Sequence, residues 1–341
     1  MTGMFWPSFI SATRRRQAVV VVSCTLATVA QLLAASLQHQ ALQQEFDRLA
    51  RGVDGRVGIC AADSAGLSCV NGDQRFPLQS VMKLLVGLAI MDAVDHGRLH
   101  LQDSVTIRKQ DLSLAVQPLA ALVTDDGFRT TIDDLVRRAI VDSDSAATDV
   151  LVARLGGPAA VQGVLDRLGL AGVRIDRDER HLQTEIAGVV WRPEYVDSAA
   201  LNRACAAVPE TVRDAAYRAY QADPRDTATP TGMISLLRSL AEGKLVSPPL
   251  TRRLIEIMGQ TVTFPDRLKA GLEGRWALAH KTGTSGTWKG VTAATNDVGI
   301  LTSPDGDLVS VAVFIADSRA SEADRAQIMA RVTRATIGSF R

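Results

Sequence analysis

The sequence predicts an α/β (α+β) fold in which an antiparallel sheet is built from both ends of the chain and flanked by helices. Strand patterns occur at 56–70 and again after residue 277, whereas helical patterns fill most of the chain between them. A nearly uninterrupted apolar segment, residues 76–97, is typical of a buried central helix. We therefore expect an all-helical lobe inserted into the sheet, with a cleft where the two meet.

Composition argues against several classes of function. The chain has 341 residues, with 38 Lys and Arg against 37 Asp and Glu, and is long enough for one large domain. Aromatic residues make up 4%, and no basic run is interleaved with them, so a nucleic-acid partner is not expected. His96 and His100 have the spacing of metal ligands but no third partner, and no phosphate-binding glycine loop occurs. We expect a monomer without metal or cofactor.

The amino terminus differs in kind from the rest of the chain. Three arginines at 14–16 precede an apolar stretch, 18–33, and the small residues Ala34, Ala35 and Ser36. This order predicts an export signal over residues 1–36. An uncleaved membrane anchor is the alternative, because the stretch nearly reaches spanning length. Either way, we expect a periplasmic or secreted protein that touches the membrane only through this segment.

The first elements after the signal are a helix and a hairpin. An amphipathic helix is predicted from residue 37 to about 51, followed by paired strands at 56–60 and 67–70. A two-residue turn would place Cys60 directly opposite Cys69, which allows a disulfide in an oxidising compartment. A bulged turn would instead direct the two sulfurs to opposite faces. The spacing leaves both possibilities open.

The remaining elements follow the same periodicities. Helices are predicted within 130–168, with breaks at Ser143 and Gly156, and at about 209–220, 231–242, 249–258 and after Ser321. Strands are predicted at 277–280, 298–301 and 308–316. Residues 37–341 are thus expected to form a single unit, with a sheet lobe at about 37–78 and 262–341 and a helical lobe at about 79–261. The irregular segment 176–226 is expected to be a long, polar, partly structured loop.

One pair of side chains suggests chemistry. Ser80 and Lys83 are spaced i, i+3 on the predicted central helix, so the hydroxyl and the ammonium share a face. A helix N-terminus adds unpaired N–H groups and a positive dipole end, which suit a developing oxyanion. A lysine in an otherwise apolar helix is costly unless its charge is paired or its pKa is lowered. A capping serine followed by a solvated lysine is the alternative; otherwise the pair is a nucleophile beside a candidate base.

Three further strings accompany this pair: Ser143-Asp144-Ser145, the run 177–183, and Lys281-Thr282-Gly283. With Ser-x-x-Lys, they resemble the motifs of the class A serine β-lactamases, within the penicillin-recognising serine acyl-transferases. Gln79 and the run 280–300 are most similar to the extended-spectrum PER-like branch. The resemblance extends from the end of the signal to the C-terminus, and it implies the β-lactamase/transpeptidase-like fold with the active site at the junction of the two lobes.

The resemblance also implies a function. It is that of a β-lactamase that opens the amide of penicillins and cephalosporins through an acyl-enzyme on Ser80, conferring antibiotic resistance. Lys83 would be a base or proton relay, Ser143 would protonate the leaving nitrogen, Lys281 would add positive charge, and Glu179 would activate water for deacylation. The implied substrate-binding residues are Ser145, Gln183, Arg267, Thr282, Thr284 and Ser285, with the N–H groups of Ser80 and Thr284 as oxyanion hole. An ion pair between Arg177 and Asp226 would close the loop that carries the glutamate.

The chain departs from the family pattern at several positions. Ser145 and Gln183 stand where relatives commonly have asparagine, Val116 stands where an aromatic often walls the site, and the segment after the glutamate is far longer than usual. Two alternatives therefore remain: a D-alanyl-D-alanine carboxypeptidase or esterase, and a β-lactam binder or sensor that deacylates slowly. Glu179 argues against both, because a dedicated base is needed only if the acyl-enzyme is hydrolysed.

Overall fold

The computed structural model describes residues 37–340. Its strands are β1 Arg56–Ala62, β2 Leu67–Val70, β3 Phe76–Pro77, β4 Ser104–Ile107, β5 Phe128–Thr131, β6 Thr227–Ala228, β7 Ala277–Thr284, β8 Thr287–Trp288, β9 Val291–Thr292, β10 Thr295–Thr302 and β11 Leu308–Ala316. Its helices are α1 37–50, α2 Met82–Asp95, α3 Ile132–Val141, α4 Ser145–Leu155, α5 Pro158–Arg167, α6 Glu179–Ile186, α7 Ser198–Ala206, α8 Glu210–Ala222, α9 Pro230–Ala241, α10 Pro248–Gly259 and α11 Glu322–Gly338.

The main sheet joins the two ends of the described chain. Five strands lie in the order β2-β1-β11-β10-β7, and each neighbouring pair is antiparallel. β1 and β2 come from the beginning of the described residues and the other three from the end. The predicted mixed fold, with an antiparallel sheet built from both termini, is confirmed.

The core has two parts, one on each face of the sheet. On one face, Leu42 and Phe46 of α1 pack with Met329 and Val332 of α11. On the other, the sheet meets α9 and the helical lobe around α2, in which every residue from Met82 to Ala93 is buried. A helix that is apolar on all sides is stable only when other elements surround it, and here α3, α4, α5 and α10 do so.

The central helix begins later than predicted. Phe76 and Pro77 form a short strand that pairs with β6, and residues Gln79–Val81 form a 3₁₀ turn before α2. Gln79 has φ of 48°, a left-handed conformation that an α-helix cannot contain. The prediction that the central helix begins at about residue 76, with Ser80 on it, is therefore wrong, because Ser80 lies in the turn that precedes α2.

Segment 176–226 is more helical than predicted. The expected helix at 209–220 corresponds to α8, but α6 and α7 were not expected. These two helices have eight and nine residues, too few to show clear periodicity, and both begin at aspartate caps, Asp178 and Asp197. The β4–β5 hairpin was also missed, because twenty residues separate its two four-residue strands.

The hairpin cysteines are bonded in the structure. Cys60 lies directly opposite Cys69 in the β1–β2 register, with 4.2 Å between their Cα atoms, and the two form a disulfide. The Asp63 N–H donates to the Gly66 carbonyl, so the turn contains two residues. This is the two-residue turn that places the two cysteines opposite each other. Cys205, on α7, is a free thiol.

We predict that the double variant Cys60→Ala/Cys69→Ala folds but loses about 2 kcal/mol of stability. The bridge closes a short loop, and its removal returns chain entropy to the unfolded state. Thermal and urea unfolding of the oxidised protein measure the difference. Cys205→Ala is the matched control and should leave stability within about 0.5 kcal/mol. Equal effects of the two changes would contradict the prediction.

Candidate active site

The turn that carries Ser80 is held in place by its neighbours. The Val81 N–H donates to the Leu78 carbonyl at 3.2 Å, and the left-handed Gln79 directs the chain into this turn. From β10, the Asn296 side chain donates to the Pro77 carbonyl at 2.8 Å and to the Leu78 carbonyl at 3.0 Å. The residues before the hydroxyl are therefore fastened to the sheet.

Strand β7 approaches this turn closely because it has a glycine there. A Cβ at Gly283 would lie 2.6 Å from the Leu78 carbonyl oxygen and 3.2 Å from the Ser80 nitrogen, which are backbone atoms that cannot rotate away. The absence of a side chain lets the end of β7, with Thr284, lie beside the serine. This places two backbone segments next to each other where an oxyanion hole requires them.

The candidate nucleophile contacts a buried ion pair. Lys83 Nζ donates to Ser80 Oγ at 2.8 Å and lies 2.6 Å from Glu179 Oε1. The side chains of Lys83 and Glu179 are each 1% exposed, so each charge depends on the other for compensation. The glutamate reaches this position from the first residue of α6. The structure thus brings Glu179 to Ser80 and Lys83, which lie about 100 positions before it in the sequence.

A second lysine contacts a second serine. Ser143 lies at the break between α3 and α4 with φ of 59°, and Lys281 Nζ donates to its Oγ at 3.0 Å and to the Thr282 carbonyl at 2.9 Å. Asp144 supports the break by capping α4 through the Ala147 N–H. Burial, together with repulsion from the positive charge of Lys83, lowers the pKa of Lys281 well below its usual value. A lysine in that state can release a proton to its neighbour.

Ser145 retains a contact with the ion pair despite its short side chain. Lys83 Nζ donates to its hydroxyl at 3.3 Å, and its own N–H donates to the Val116 carbonyl at 2.8 Å. Val116 is 53% exposed, so this wall of the site has a small, accessible side chain. The replacement of asparagine therefore preserves the acceptor for the lysine.

Gln183 lies one helical turn after the glutamate. Its Nε2 donates to Glu179 Oε2 at 3.2 Å and to Gln79 Oε1 at 3.2 Å. The two oxygens of the carboxylate thus have different partners, a lysine and an amide. This arrangement orients the carboxylate, because each oxygen is held by a different donor.

Several charged contacts close segment 176–226. Arg177 Nε donates to Asp226 Oδ2 at 2.6 Å, and the same guanidinium lies 2.6 Å from Glu185 and 3.1 Å from Asp223. The side chains of Arg177 and Asp226 are 6% and 1% exposed, so this ion pair is shielded from water, whereas Glu185 is 42% exposed. The predicted pairing of Arg177 with Asp226 is thus present in the structure, within a larger network.

Asp149 accepts a hydrogen bond from the backbone of Glu179 and was not identified from the sequence. Its Oδ1 accepts the Glu179 N–H at 2.8 Å, and its Oδ2 accepts the Ser113 hydroxyl at 2.5 Å. Burial, with repulsion from Asp178 and Glu179, raises the pKa of Asp149 to about 7. The available signal was a charged residue in the otherwise apolar middle of α4.

The remaining predicted binding residues lie on or behind β7. Arg267 has no exposed surface, and its guanidinium donates to Thr284 Oγ1 at 2.6 Å and to the carbonyls of Gly283 and Asn296. Burial lowers its pKa to about 10, so it remains charged at neutral pH. The structure therefore places the Arg267 guanidinium behind Thr284, in contact with the Thr284 hydroxyl and without exposed surface of its own.

Thr282 and Ser285 have partners of their own on this strand. Thr282 Oγ1 lies 2.5 Å from Thr263 Oγ1, and Ser285 Oγ accepts the Ala294 N–H at 2.9 Å. Both side chains are almost fully buried in the structure. Their hydroxyls are thus oriented by the residues around the strand end.

Within residues 37–340, no group of three or more His, Cys, Asp and Glu side chains is arranged to hold a metal ion. The same residues contain no helix long and apolar enough to cross a membrane. The predicted signal or anchor at 1–36 lies outside the described residues.

Comparison with known proteins assigns the family. A model of the beta-lactamase enzyme family matches residues 41–340. This chain belongs to that family. The prediction of a class A serine β-lactamase is confirmed.

Individual relatives agree with the family. Beta-lactamase VEB-1 of Pseudomonas aeruginosa is 27% identical over 88% of this chain and 90% of its own length. Extended-spectrum beta-lactamase PER-1 of Pseudomonas aeruginosa is 27% identical over 93% of this chain and 92% of its own length. Among solved structures, an ancestral class A beta-lactamase is similar with a TM-score of 0.71 at 30% identity, covering 88% of this chain and 100% of that one. The predicted class A fold is therefore confirmed.

We predict that Gly283→Ala lowers kcat/KM by about tenfold or more. The new Cβ would push the Ser80 turn away from β7, and small misplacements of reacting groups are costly. Steady-state hydrolysis of a chromogenic cephalosporin measures this effect. Gly163→Ala is the matched control, because a Cβ there meets nothing within 4 Å and replaces glycine inside α5. Activity that is equal in both variants would contradict the close approach of β7.

A second prediction concerns pH. Between about pH 4 and 7, folded Asp149 keeps a proton that the unfolded chain releases, so ionisation of the unfolded state lowers the stability of the wild type as pH rises. Asp149→Asn keeps an acceptor for the Glu179 N–H but does not titrate. The free energy of unfolding of the variant minus that of wild type should therefore increase by about 2 to 4 kcal/mol from pH 5 to pH 8. Urea unfolding at both pH values tests this, and a pH-independent difference would contradict it.

Proposed function

We propose that the enzyme hydrolyses the β-lactam amide of penicillins and cephalosporins through an ester on Ser80. The Ser80 Oγ attacks the carbonyl carbon, and its proton passes to the Lys83–Glu179 pair. The carbonyl oxygen becomes an oxyanion, for which the N–H groups of Ser80 and Thr284 are the donors. This assignment is supported by the 2.8 Å contact between Lys83 Nζ and Ser80 Oγ.

The ring then opens at its carbon–nitrogen bond. The leaving nitrogen takes a proton from Ser143, which is replenished from Lys281 across a 3.0 Å hydrogen bond. The lowered pKa of Lys281 favours this transfer. Thr282, Thr284 and Ser285 would bind the substrate, with the positive charge of Arg267 held behind Thr284 to attract a carboxylate.

Hydrolysis of the ester completes the cycle. Before this step, the proton taken from Ser80 is released from the Lys83–Glu179 pair and Lys281 regains the proton it gave up, so that Glu179 is again a carboxylate. Glu179 then takes a proton from water, the hydroxide attacks the ester carbonyl, and Ser80 leaves with that proton returned through the same pair. Gln183 keeps the carboxylate oriented for this step. The observation that carries the proposal is the position of Glu179, which is 1% exposed and 2.6 Å from the lysine that contacts the nucleophile. Neither a carboxypeptidase nor a slowly turning sensor requires a base at that place.

We further propose that the mature enzyme is a monomer that acts outside the cytoplasm and contributes to antibiotic resistance. The arginine-led apolar segment at 1–36 would direct export. The Cys60–Cys69 disulfide supports an oxidising compartment. We also propose that residues 37–341 form a single unit, because the main sheet joins strands from both ends of the described residues.

We predict that Glu179→Gln becomes acylated but does not release the product. Loss of the general base should lower kcat by about two to four powers of ten. Electrospray mass spectrometry after mixing with benzylpenicillin tests this, because the variant should retain the added mass while the wild type returns to its free mass. Ser80→Ala should gain no mass.

The control is Glu256→Gln, the same chemical change at an exposed position on α10. It should turn over like the wild type. A wild type that itself stays acylated would favour a sensor or a peptidase-like enzyme. A wild type that gains no mass and hydrolyses nothing would overturn the proposal.

A further inference from the structure

Helix α8 belongs to the long segment between Glu179 and Asp226, and the reaction described above does not use it. Two tyrosines, Tyr217 and Tyr220, project from it one turn apart, and each side chain is 5% exposed. Their rings pack edge to face at 6.5 Å between centroids. The two hydroxyls nevertheless have entirely different partners. That difference allows their roles to be separated.

The Tyr220 hydroxyl begins a chain of hydrogen bonds to the catalytic carboxylate. Gln79 Nε2 donates to the tyrosine oxygen, and Gln79 Oε1 accepts from Gln183 Nε2 at 3.2 Å. Gln183 Nε2 also donates to Glu179 Oε2 at 3.2 Å. Three side chains, from α8, the nucleophile turn and α6, thus form one connected path to Glu179.

The carboxylate determines the direction of every bond in this path. An ionised Glu179 can only accept, so Gln183 must present its NH₂ group to it. The same NH₂ group meets Gln79, which must then present its oxygen and turn its own NH₂ toward Tyr220. The phenol oxygen accepts from that NH₂, and so it holds the Gln79 amide in the orientation that the carboxylate requires. An acceptor at the Tyr220 position therefore affects how Glu179 is held.

The start of the path is itself rigid. Gln79 is 2% exposed and has a left-handed backbone, which directs its side chain away from the core of α2 and toward α8. Helix α8 is fastened to the β8–β9 hairpin, because Asp214 accepts from Trp288 Nε1 at 2.6 Å and from Lys289 Nζ at 2.6 Å. The Tyr220 oxygen is therefore held in position by contacts that do not involve the glutamate.

Tyr217 fastens the same helix but does not reach the glutamate. Its hydroxyl lies 2.9 Å from the carbonyls of Gly286 and Val291 and accepts the Ala293 N–H at 2.9 Å. All three partners belong to the segment between β7 and β10, which includes the β8–β9 hairpin. The two tyrosines thus share helix, burial and ring packing, and differ in whether the hydroxyl connects to the carboxylate.

We propose that Tyr220 is a positioning residue for deacylation, which acts through Gln79 and Gln183 to orient the Glu179 carboxylate. The inference rests on the proposed role of Glu179 as the base that activates water. It assigns a purpose to α8, which supplies a fixed acceptor from outside the catalytic motifs. Because Gln183 has a longer side chain than asparagine, its amide needs a second partner to remain in one position, and Gln79 is that partner.

The test separates the two chemical steps. Acylation and deacylation rate constants are measured by rapid-quench mass spectrometry with benzylpenicillin for wild type, Tyr220→Phe and Tyr217→Phe. In Tyr220→Phe, we expect the deacylation rate constant to fall about five- to tenfold, because one hydrogen bond is lost from the path. The acylation rate constant should stay within about twofold, so kcat and KM should fall together while kcat/KM changes little.

Tyr217→Phe is the matched control. It removes a hydroxyl of equal burial from the same helix, and its ratio of deacylation to acylation should equal that of wild type. A third variant, Gln79→Met, should slow deacylation as Tyr220→Phe does, and the two changes combined should cost no more than either alone, since both break one path. Thermal unfolding of each variant verifies that the fold is retained.

Three results would overturn the inference. They are an unchanged deacylation rate constant in Tyr220→Phe, equal slowing of deacylation in Tyr217→Phe, and additive effects of the Gln79 and Tyr220 changes. Each would mean that α8 acts only as a general support. A wild type that forms no hydrolysable acyl-enzyme is a different failure, because it overturns the proposed function before any tyrosine variant is compared.

Discussion

The active site depends on one buried ion pair, in which Lys83 of α2 meets Glu179 of α6 at 2.6 Å with both side chains 1% exposed. Removing two charges from water is costly, and the cost is offset only when each has the other and further hydrogen bonds. Lys83 has the hydroxyls of Ser80 and Ser145, and Glu179 has the amide of Gln183. The pairing therefore requires that the nucleophile, the second motif and the segment after it all lie in place together.

The elements around the pair are organised to satisfy that requirement. Asp149 of α4 holds the backbone of Glu179, and the network of Arg177 with Asp226 closes the segment that carries it. On the opposite side, Asn296 fastens the nucleophile turn to the sheet, and Gly283 allows β7 to lie against that turn. The Asn296 side chain and the close approach of the β7 backbone thus hold the nucleophile turn against the sheet.

The long segment after Glu179 is part of this arrangement. Helix α8 contacts the segment between β7 and β10 through Tyr217 and the path to the glutamate through Tyr220. It thus spans from the residues proposed for deacylation to the strand proposed for substrate binding. An insertion of this size could have projected into solvent as an independent loop. Its side chains instead contact both halves of the site, through Tyr217 on one side and through Tyr220 with Gln79 and Gln183 on the other.

The sequence alone determined the fold class, most helices and strands, and the motif residues Ser80, Lys83, Ser143 and Lys281. The elements follow from periodicity over long segments, and the motif residues follow from the resemblance of four short strings to those of the class A family. It left the geometry of the Cys60–Cys69 hairpin open, because turn types that differ by one residue reverse the faces. It misplaced the start of α2, since the left-handed conformation of Gln79 depends on neighbours that are distant in the chain.

Only the tertiary structure showed which polar residues serve the site from outside the motifs. Asp149, Asn296 and Tyr220 each contact a catalytic segment that lies between 30 and 219 positions away in the chain. Such contacts arise from the packing of helices and strands, and no local pattern encodes which distant carbonyl or carboxylate a buried side chain will meet. The motifs therefore identified the chemistry, and the packing decided how its groups are held.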